Sequence, residues 1–358
     1  MRVAIIGQGR SGKQIHGVFF KSELNVMCEV AVVVEADDKR REKAAAEYGC
    51  DTCADYTELF KRNDIDLVVN ASYSQMHYPI TRDLLLHGFN VLCEKPFGRT
   101  YFECAELINI AREKGVVVAA FHQSLLAPSF LKVKEVINSG IIGEPVQINL
   151  KYNAFSRRWD WQTLQACVAG GIYNSGPHPI GQALDLLGWD KSTRVAYSKL
   201  GTVLTSGDSD DYAKIILDAP GKPVVDIEVI SNDAMADAPF KVIGTKGTYV
   251  GTHSNYKIKY IDDFSKYPER PVHKTFIQSE SGEPAYCSEK LDFIEEAGEI
   301  KGTSFDSAVK DFYAMMYYAV MNGKPLTITP EMAADVIRVI ETCHAENPLP
   351  VKFSLYGD

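Results

Sequence analysis

Short apolar runs alternate with longer mixed segments through the first third of the chain. The runs are Arg2–Ile6 and residues 30–35, 67–71, 90–93 and 116–121. Their length and continuous apolar character suit strands buried on both faces. A helix is predicted from about Ser11, and others over residues 39–48, 78–87 and 101–114. Strands separated by helices of this length predict βαβ units and a parallel sheet. The pattern changes after residue 121. A helix over residues 127–139 runs into Gly140, a natural C-terminal cap. Strand-like segments follow at residues 145–154, 194–204, 211–217, 224–231, 240–244, 248–251 and 256–261. Few are separated by helices, which predicts an antiparallel sheet. Helices over residues 304–322 and 330–345 close the pattern. The expected fold class is therefore α/β in two domains, residues 1–122 and 123–358, the second of α+β type with a large, mostly antiparallel sheet.

A chain of 358 residues, 46% hydrophobic and 24% charged, has ample material for two cores. Its net charge of −9 lacks the basic footprint of a nucleic-acid binder. The one basic run, Lys39-Arg40-Arg41, is flanked by Asp37, Asp38 and Glu42 and reads as a solvated helix face. No apolar stretch approaches the ~20 residues of a membrane span, and no signal-peptide anatomy is present. Eight scattered cysteines include a single Cys-x-x-Cys, Cys50 and Cys53, with no second pair and no nearby histidine. Reduced thiols, no metal site and a cytoplasmic location are the expectations.

Gly7-Gln8-Gly9-Arg10-Ser11-Gly12 is a complete G-x-G-x-x-G between a predicted strand and a predicted helix. That context turns a weak string into a dinucleotide signature: a tight turn, a close backbone approach to pyrophosphate, and a helix N-terminus for the anion. Glu35 ends the second strand, 23 residues after Gly12. A carboxylate there accepts from both hydroxyls of the adenine ribose and repels a 2′-phosphate. The expected cofactor is NAD rather than NADP.

Three further strings complete a pattern: Ala71-Ser72-Tyr73-Ser74-Gln75-Met76-His77 at one strand end, Cys93-Glu94-Lys95-Pro96 at the next, and Gly170-Gly171-Ile172-Tyr173-Asn174-Ser175-Gly176-Pro177-His178 in the second domain. With the glycine loop they resemble the glucose-fructose oxidoreductase/inositol dehydrogenase/rhizopine catabolism (Gfo/Idh/MocA) family over essentially the whole chain. The resemblance implies a Rossmann domain, a second domain whose sheet forms a subunit interface, and hence a homodimer or higher homo-oligomer. It implies oxidation of a ring hydroxyl of a sugar or polyol, or the reverse. Lys95 and His178 would be the catalytic pair, Glu94 would help hold the cofactor, and Ser72 and His77 would line its nicotinamide half. The chemistry suits those residue types. A histidine accepts a hydroxyl proton near neutral pH, and an ammonium stabilises the developing alkoxide. His122, just after a strand near the expected cleft, is a further substrate-binding candidate.

The chain departs from the family pattern at three places. Asn174 stands where an aspartate is usual, Gly181 replaces an acid, and Ser124-Leu125-Leu126 occupies a stretch where many members carry arginine. Asn174 is expected to orient the imidazole or bind a substrate hydroxyl. The segment Arg157-Arg158-Trp159-Asp160-Trp161-Gln162 resembles a carbohydrate platform, with indole faces for sugar rings and polar groups for hydroxyls. A glycoside oxidised at C3 fits this segment. Arg158, Trp159 and Trp161 are its candidates, with Tyr152, Asn153 and Tyr173 behind them. The alternatives are a glycosidase that oxidises its substrate transiently with bound NAD, and a non-catalytic NAD-binding regulator.

Overall fold

The computed structural model describes all residues except 276 and 356–358. The first domain is built on β1 (Arg2–Ile6), β2 (Glu29–Val34), β3 (Asp51–Cys53), β4 (Leu67–Asn70), β5 (Val91–Cys93) and β6 (Val118–Ala120). All are parallel, in the spatial order β3-β2-β1-β4-β5-β6. The helices α1 (Gly17–Lys21), α2 (Asp38–Tyr48), α3 (His77–Leu86) and α4 (Tyr101–Lys114) cover the sheet. Val3, Ala4, Ile5, Val68, Val69 and Leu92 are wholly buried, which explains the uninterrupted apolar runs. The strand order reverses between β1 and β4, so their C-terminal ends border the crevice where this fold binds ligands.

After α5 (Pro128–Ser139), capped by Gly140 in the left-handed conformation, the chain enters the second sheet. Its strands are β7 (Pro145–Lys151), β8 (Arg194–Gly201), β9 (Tyr212–Asp218), β10 (Val224–Ile230), β11 (Phe240–Gly244), β12 (Gly247–Gly251), β13 (Asn255–Tyr260) and β16 (Ile294–Glu299). A small ribbon of β14 (Ile277–Gln278) and β15 (Pro284–Ala285) lies within the excursion before β16. The spatial order is β16-β13-β12-β11-β7-β10-β9-β8. All pairings are antiparallel except β7 with β10, which run parallel. That crossover carries α6 (Gly171–Asn174) and α7 (Pro177–Leu186), and it lays α7 on the sheet's inner face. Ile148, Leu150, Ile215, Leu217, Val225 and Ile227 fill that face, alternating with half-buried residues outside.

Two helices bind the sheets together. α8 (Ser307–Asn322) inserts Phe312 and Tyr313 between aromatic rings of the first domain: Tyr313 stacks on Phe19 at 4.6 Å and Phe312 meets Phe121 edge-on at 5.0 Å. α9 (Pro330–Glu346) packs against α4, β6, α7 and β8.

Several elements differ from expectation. β3 and β16 lie outside the expected strands, because neither offers a long apolar run. β16 reads Ile-Glu-Glu-Ala-Gly-Glu and is a charged edge, with Glu295 pairing Lys259 at 2.6 Å. Helix α7 was hidden behind its glycines and prolines. The expected strands over residues 145–154 and 194–204 end three residues early, where the chain leaves the sheet to build the cleft.

Candidate functional site

The glycine loop follows β1 directly. Gly7 adopts φ +90°, and a Cβ there would lie 2.5 Å from the carbonyl of Ala71. A Cβ on Gly12 would strike the carbonyl of Gly7. These two glycines serve close packing inside the protein. Gly9 differs: no atom lies within 4 Å of its Cβ position, and the residue is exposed at the crevice. The loop thus leaves one backbone face open where a pyrophosphate needs to approach. Ser11 precedes a helical stretch, Gly12–His16, that runs into α1; its first turn is wide, with the Gly17 N–H donating to Gly12 O. Arg10 projects, exposed, at the same mouth.

Glu35 is fixed at the end of β2 by backbone. Its Oε2 accepts from the N–H of Gln8 at 2.7 Å and its Oε1 from the N–H of Asp37 at 3.1 Å. Each oxygen retains a lone pair for a ribose hydroxyl. The basic run beside it is partly consumed. Arg41 donates to the carbonyls of Glu35 and Ala36 at 2.7 and 2.9 Å and pairs with Asp38. Arg40 lies 3.8 Å from Glu35. The arrangement fits NAD, with Gly9 and the loop N–H groups for the pyrophosphate and Glu35 for the ribose.

Ser72 and His77 stand at the end of β4, but both turn inward. Ser72 Oγ donates to Asn70 at 2.7 Å. His77 is 2% exposed, with Nδ1 2.7 Å from Pro96 O and Nε2 3.2 Å from Ser72 O. Burial keeps its imidazole below the usual range and hence neutral. Its ring ties two loops of the cleft wall together and is almost wholly covered by the protein.

Glu94 is also turned inward and is 3% exposed. Its Oε2 accepts from the N–H of Lys95 at 3.0 Å, and its Oε1 lies 3.1 Å from His16 Nε2. His16 Nδ1 is in turn 2.7 Å from the hydroxyl of Tyr313 on α8. Both ring nitrogens find partners when Tyr313 O–H donates to Nδ1 and Nε2–H donates to the carboxylate. Burial opposes Glu94's charge, but the His16 hydrogen bond and nearby positive charges outweigh it and bring the carboxyl down to about 2. Nothing in the sequence pattern singled out His16 or Tyr313, 297 residues apart.

Lys95 crosses the interdomain cleft. Its Nζ donates to the carbonyl of Asn174 at 2.8 Å, with Asn174 Oδ1 at 3.5 Å. Burial lowers its pKa, Glu94 opposes that, and Arg10 and Arg158 lower it further. His178, half-buried one turn beyond Asn174, lies on the same cleft wall. Burial first, then the Lys95 and His122 charges, push its imidazole down to about 3. His122, 3% exposed, is pushed down to about 4 by burial and by Lys95. A Cβ at Gly181 would sit 3.6 Å from His122 Nδ1, in ordinary van der Waals contact, so the His122 ring packs directly against this position. Asn174 does not orient His178. It partners Lys95 and, at 3.5 Å, Gln162. The imidazole's own partner is Ser124, whose Oγ lies 3.1 Å from Nδ1, with Tyr152 stacked alongside at 6.2 Å.

The paired glycines before His178 admit a carboxylate. Asp210 lies against Gly170, which adopts φ +117°, and its Oδ2 accepts from the N–H of Ile172 at 2.7 Å. Burial raises this carboxyl to about 7. Asp208 and Asp211 likewise accept backbone N–H groups, from residues 165, 352 and 353 and from residues 203–205. The acidic run Asp208-Ser209-Asp210-Asp211 is buried, and Asp210 braces the histidine-bearing segment.

The aromatic segment divides. Trp161 meets Tyr73 of the first domain edge-on at 5.0 Å, bridging the cleft mouth. Trp159 is 78% exposed. Arg158 is held bidentate by Asp160 at 2.8–3.0 Å, so that aspartate is already engaged. Among the described residues no cluster of histidine, cysteine and carboxylate side chains is arranged to hold a metal, and no helix is long and apolar enough to cross a membrane.

Residues 1–122 match the oxidoreductase family with an NAD-binding Rossmann fold, and residues 130–250 match the Gfo/Idh/MocA C-terminal domain. An uncharacterized oxidoreductase of Schizosaccharomyces pombe is 27% identical over 257 residues, 70% of each chain. scyllo-Inositol 2-dehydrogenase (NADP(+)) IolW of Bacillus subtilis is 24% identical, covering 95% of this chain and 92% of its own. Among solved structures, GenD2 from gentamicin A biosynthesis, in complex with NAD, shares the fold with a TM-score of 0.73 at 17% identity, covering 99% of this chain and 97% of that one.

Proposed function

The chain belongs to the Gfo/Idh/MocA family of oxidoreductases, and from that premise we propose that it interconverts a ring CH–OH of a sugar, polyol or glycoside and the corresponding ketone, with NAD as the redox partner. The observation that carries the reading is the crossing of Lys95. Its ammonium spans from the cofactor-binding domain to the carbonyl of Asn174, in the segment that presents His178. An alcohol oxygen entering between the two domains meets a donor from one side and an imidazole from the other.

Bound NAD would supply the hydride acceptor in oxidation and the donor in reduction. The protein's part is the oxygen and its proton. Lys95 donates a hydrogen bond to the oxygen and stabilises negative charge as it develops. His178 is neutral at pH 7, with its low pKa set by burial and Lys95, and so offers a lone pair for the hydroxyl proton. Glu94, held as a carboxylate by His16, balances the lysine from below. Trp161 and Tyr73 close the mouth, and exposed Trp159 offers a face for a sugar ring. A relative that acts on scyllo-inositol supports a polyhydroxylated ring substrate.

The test is a panel of sugars, inositols and glycosides incubated with NAD⁺, read by NADH absorbance and product mass. A product lighter by two hydrogens, matched by NADH, establishes the reaction. Cleaved glycoside without net NADH would identify the glycosidase instead, and NAD binding with no turnover on the whole panel would reject catalysis of this class.

A further inference from the structure

His178 sits in a closed ring of side chains that contains no acid. Its Nδ1 is 3.1 Å from Ser124 Oγ. Gln182, four residues on along α7 and so on the same helix face, donates from Nε2 to the carbonyl of Ser124 at 3.2 Å. The hydroxyl of Tyr152 donates to Gln182 Oε1 at 3.3 Å, and the Tyr152 ring lies nearly parallel to the imidazole, 22° from coplanar. Ser124 and Gln182 are buried, 6% and 1% exposed. Ser124 Oγ has no other hydrogen-bond partner among the described residues, so its proton is free to turn either way.

We propose that Ser124 is the positioning residue of His178, and that it makes the imidazole a two-way group: Nε2 presents a lone pair when Ser124 accepts from Nδ1–H, and an N–H when Ser124 donates to Nδ1. The inference rests on the reading of His178 as the group facing the substrate oxygen. A carboxylate partner accepts only, so it holds the proton on Nδ1 and leaves Nε2 as a base. A hydroxyl is both donor and acceptor. The same neutral imidazole can then accept a proton from an alcohol or donate a hydrogen bond to a ketone. The other charged or titratable groups that act on the ring are Lys95, His122 and Glu94, with Tyr152 against its face. None of them is placed to hold Nδ1, so the tautomer is left to Ser124.

The experiment uses the full-length protein, labelled with ¹⁵N-histidine and saturated with NAD⁺, as wild type, Ser124→Ala, Ser124→Thr and Ser124→Asp. Imidazole nitrogen shifts report the tautomer and titration of His178, and kinetics on the best substrate of the panel run in parallel. Ser124→Asp is expected to hold the proton on Nδ1 and to raise the His178 midpoint by about one pH unit or more, as an opposite charge at hydrogen-bond distance does. The acid limb of kcat/KM moves up with it. Ser124→Ala should change the tautomer ratio and lower kcat about tenfold, the worth of one positioning hydrogen bond, with KM changed less than about threefold. Ser124→Thr, which keeps the hydroxyl, restores both. Wild-type nitrogen shifts and midpoints in both the alanine and aspartate variants would overturn the proposal, even in an enzyme that oxidises sugars. Shifted spectra without turnover of any carbohydrate would instead leave the Ser124–His178 pairing standing and remove the dehydrogenase reading.

Discussion

Replacing His16 by leucine tests whether the buried chain beneath Lys95 keeps Glu94 ionised. Leucine nearly fills the imidazole's volume against Phe121, 4.6 Å away between ring centres, so the cavity cost is small. What is lost is the donor to Glu94 Oε1 and the acceptor for the Tyr313 hydroxyl. In the wild type the carboxyl is brought from 4.5 to about 2 against the opposition of burial. A lowered carboxyl pKa contributes stability above the unfolded value, lost as pH falls from about 4.5 towards 2; at neutral pH it is worth about 3 kcal/mol. Without His16, burial dominates and the folded pKa rises above 4.5. The wild-type advantage should then be at least about 3 kcal/mol at pH 8, with about 1 kcal/mol more from the orphaned tyrosine hydroxyl. It should narrow as pH falls through the variant's raised Glu94 pKa, where protonation relieves the variant. The assay is urea denaturation of both proteins at pH 8 and pH 5. A difference under about 1 kcal/mol, or one identical at the two pH values, would refute the assignment of Glu94's charge to His16.

Glu35→Ser should narrow an NAD⁺ over NADP⁺ preference that is at least about tenfold, roughly 1.4 kcal/mol, in the wild type; calorimetry with both cofactors reads it, and equal wild-type affinities would reject the role of Glu35. Lys95→Ala and His178→Ala should each lower kcat by ~10²-fold or more while NAD binding persists, and the double variant should lose less than the product, since the proposed mechanism has both act on one oxygen. Asn174→Asp places an anion about where Oδ1 now stands, 3.5 Å from Lys95 Nζ, so it should raise the lysine's pKa and carry the basic limb of the kcat/KM profile upward. The outer face of the eight-stranded sheet mixes Ile216, Ile230 and Ile243 with the Lys214–Asp226 and Lys214–Glu228 pairs, a composition suited to a subunit contact; light scattering at micromolar concentration should give a homodimer or tetramer, and a monomer would contradict it.

Local pattern and backbone chemistry made much of this protein readable from its sequence. The Rossmann strands stand out because they are buried on both faces and so run apolar without interruption. The glycine loop and Glu35 stand out because tight turns and strand ends demand particular residue types at fixed spacing. Lys95 and His178 are singled out by their motifs, and folding places both on the cleft between the domains. Contacts between distant segments had no such signature. His16, Glu94 and Tyr313 meet only because α8 returns across the first domain and inserts its aromatic face there. Ser124 reaches His178 only because the chain turns after β6 and lays α7 beside it, and Asn174, expected from its motif position to orient the imidazole or bind a substrate hydroxyl, faces Lys95. Asp208, Asp210 and Asp211 are buried among backbone N–H groups that no spacing rule anticipates. Sequence determined which elements form and where a dinucleotide fits, since those follow from local sterics and periodic burial. Tertiary structure alone decided which polar groups share a buried proton or charge, because in a low-dielectric interior that depends on a few tenths of an ångström between residues far apart in the chain.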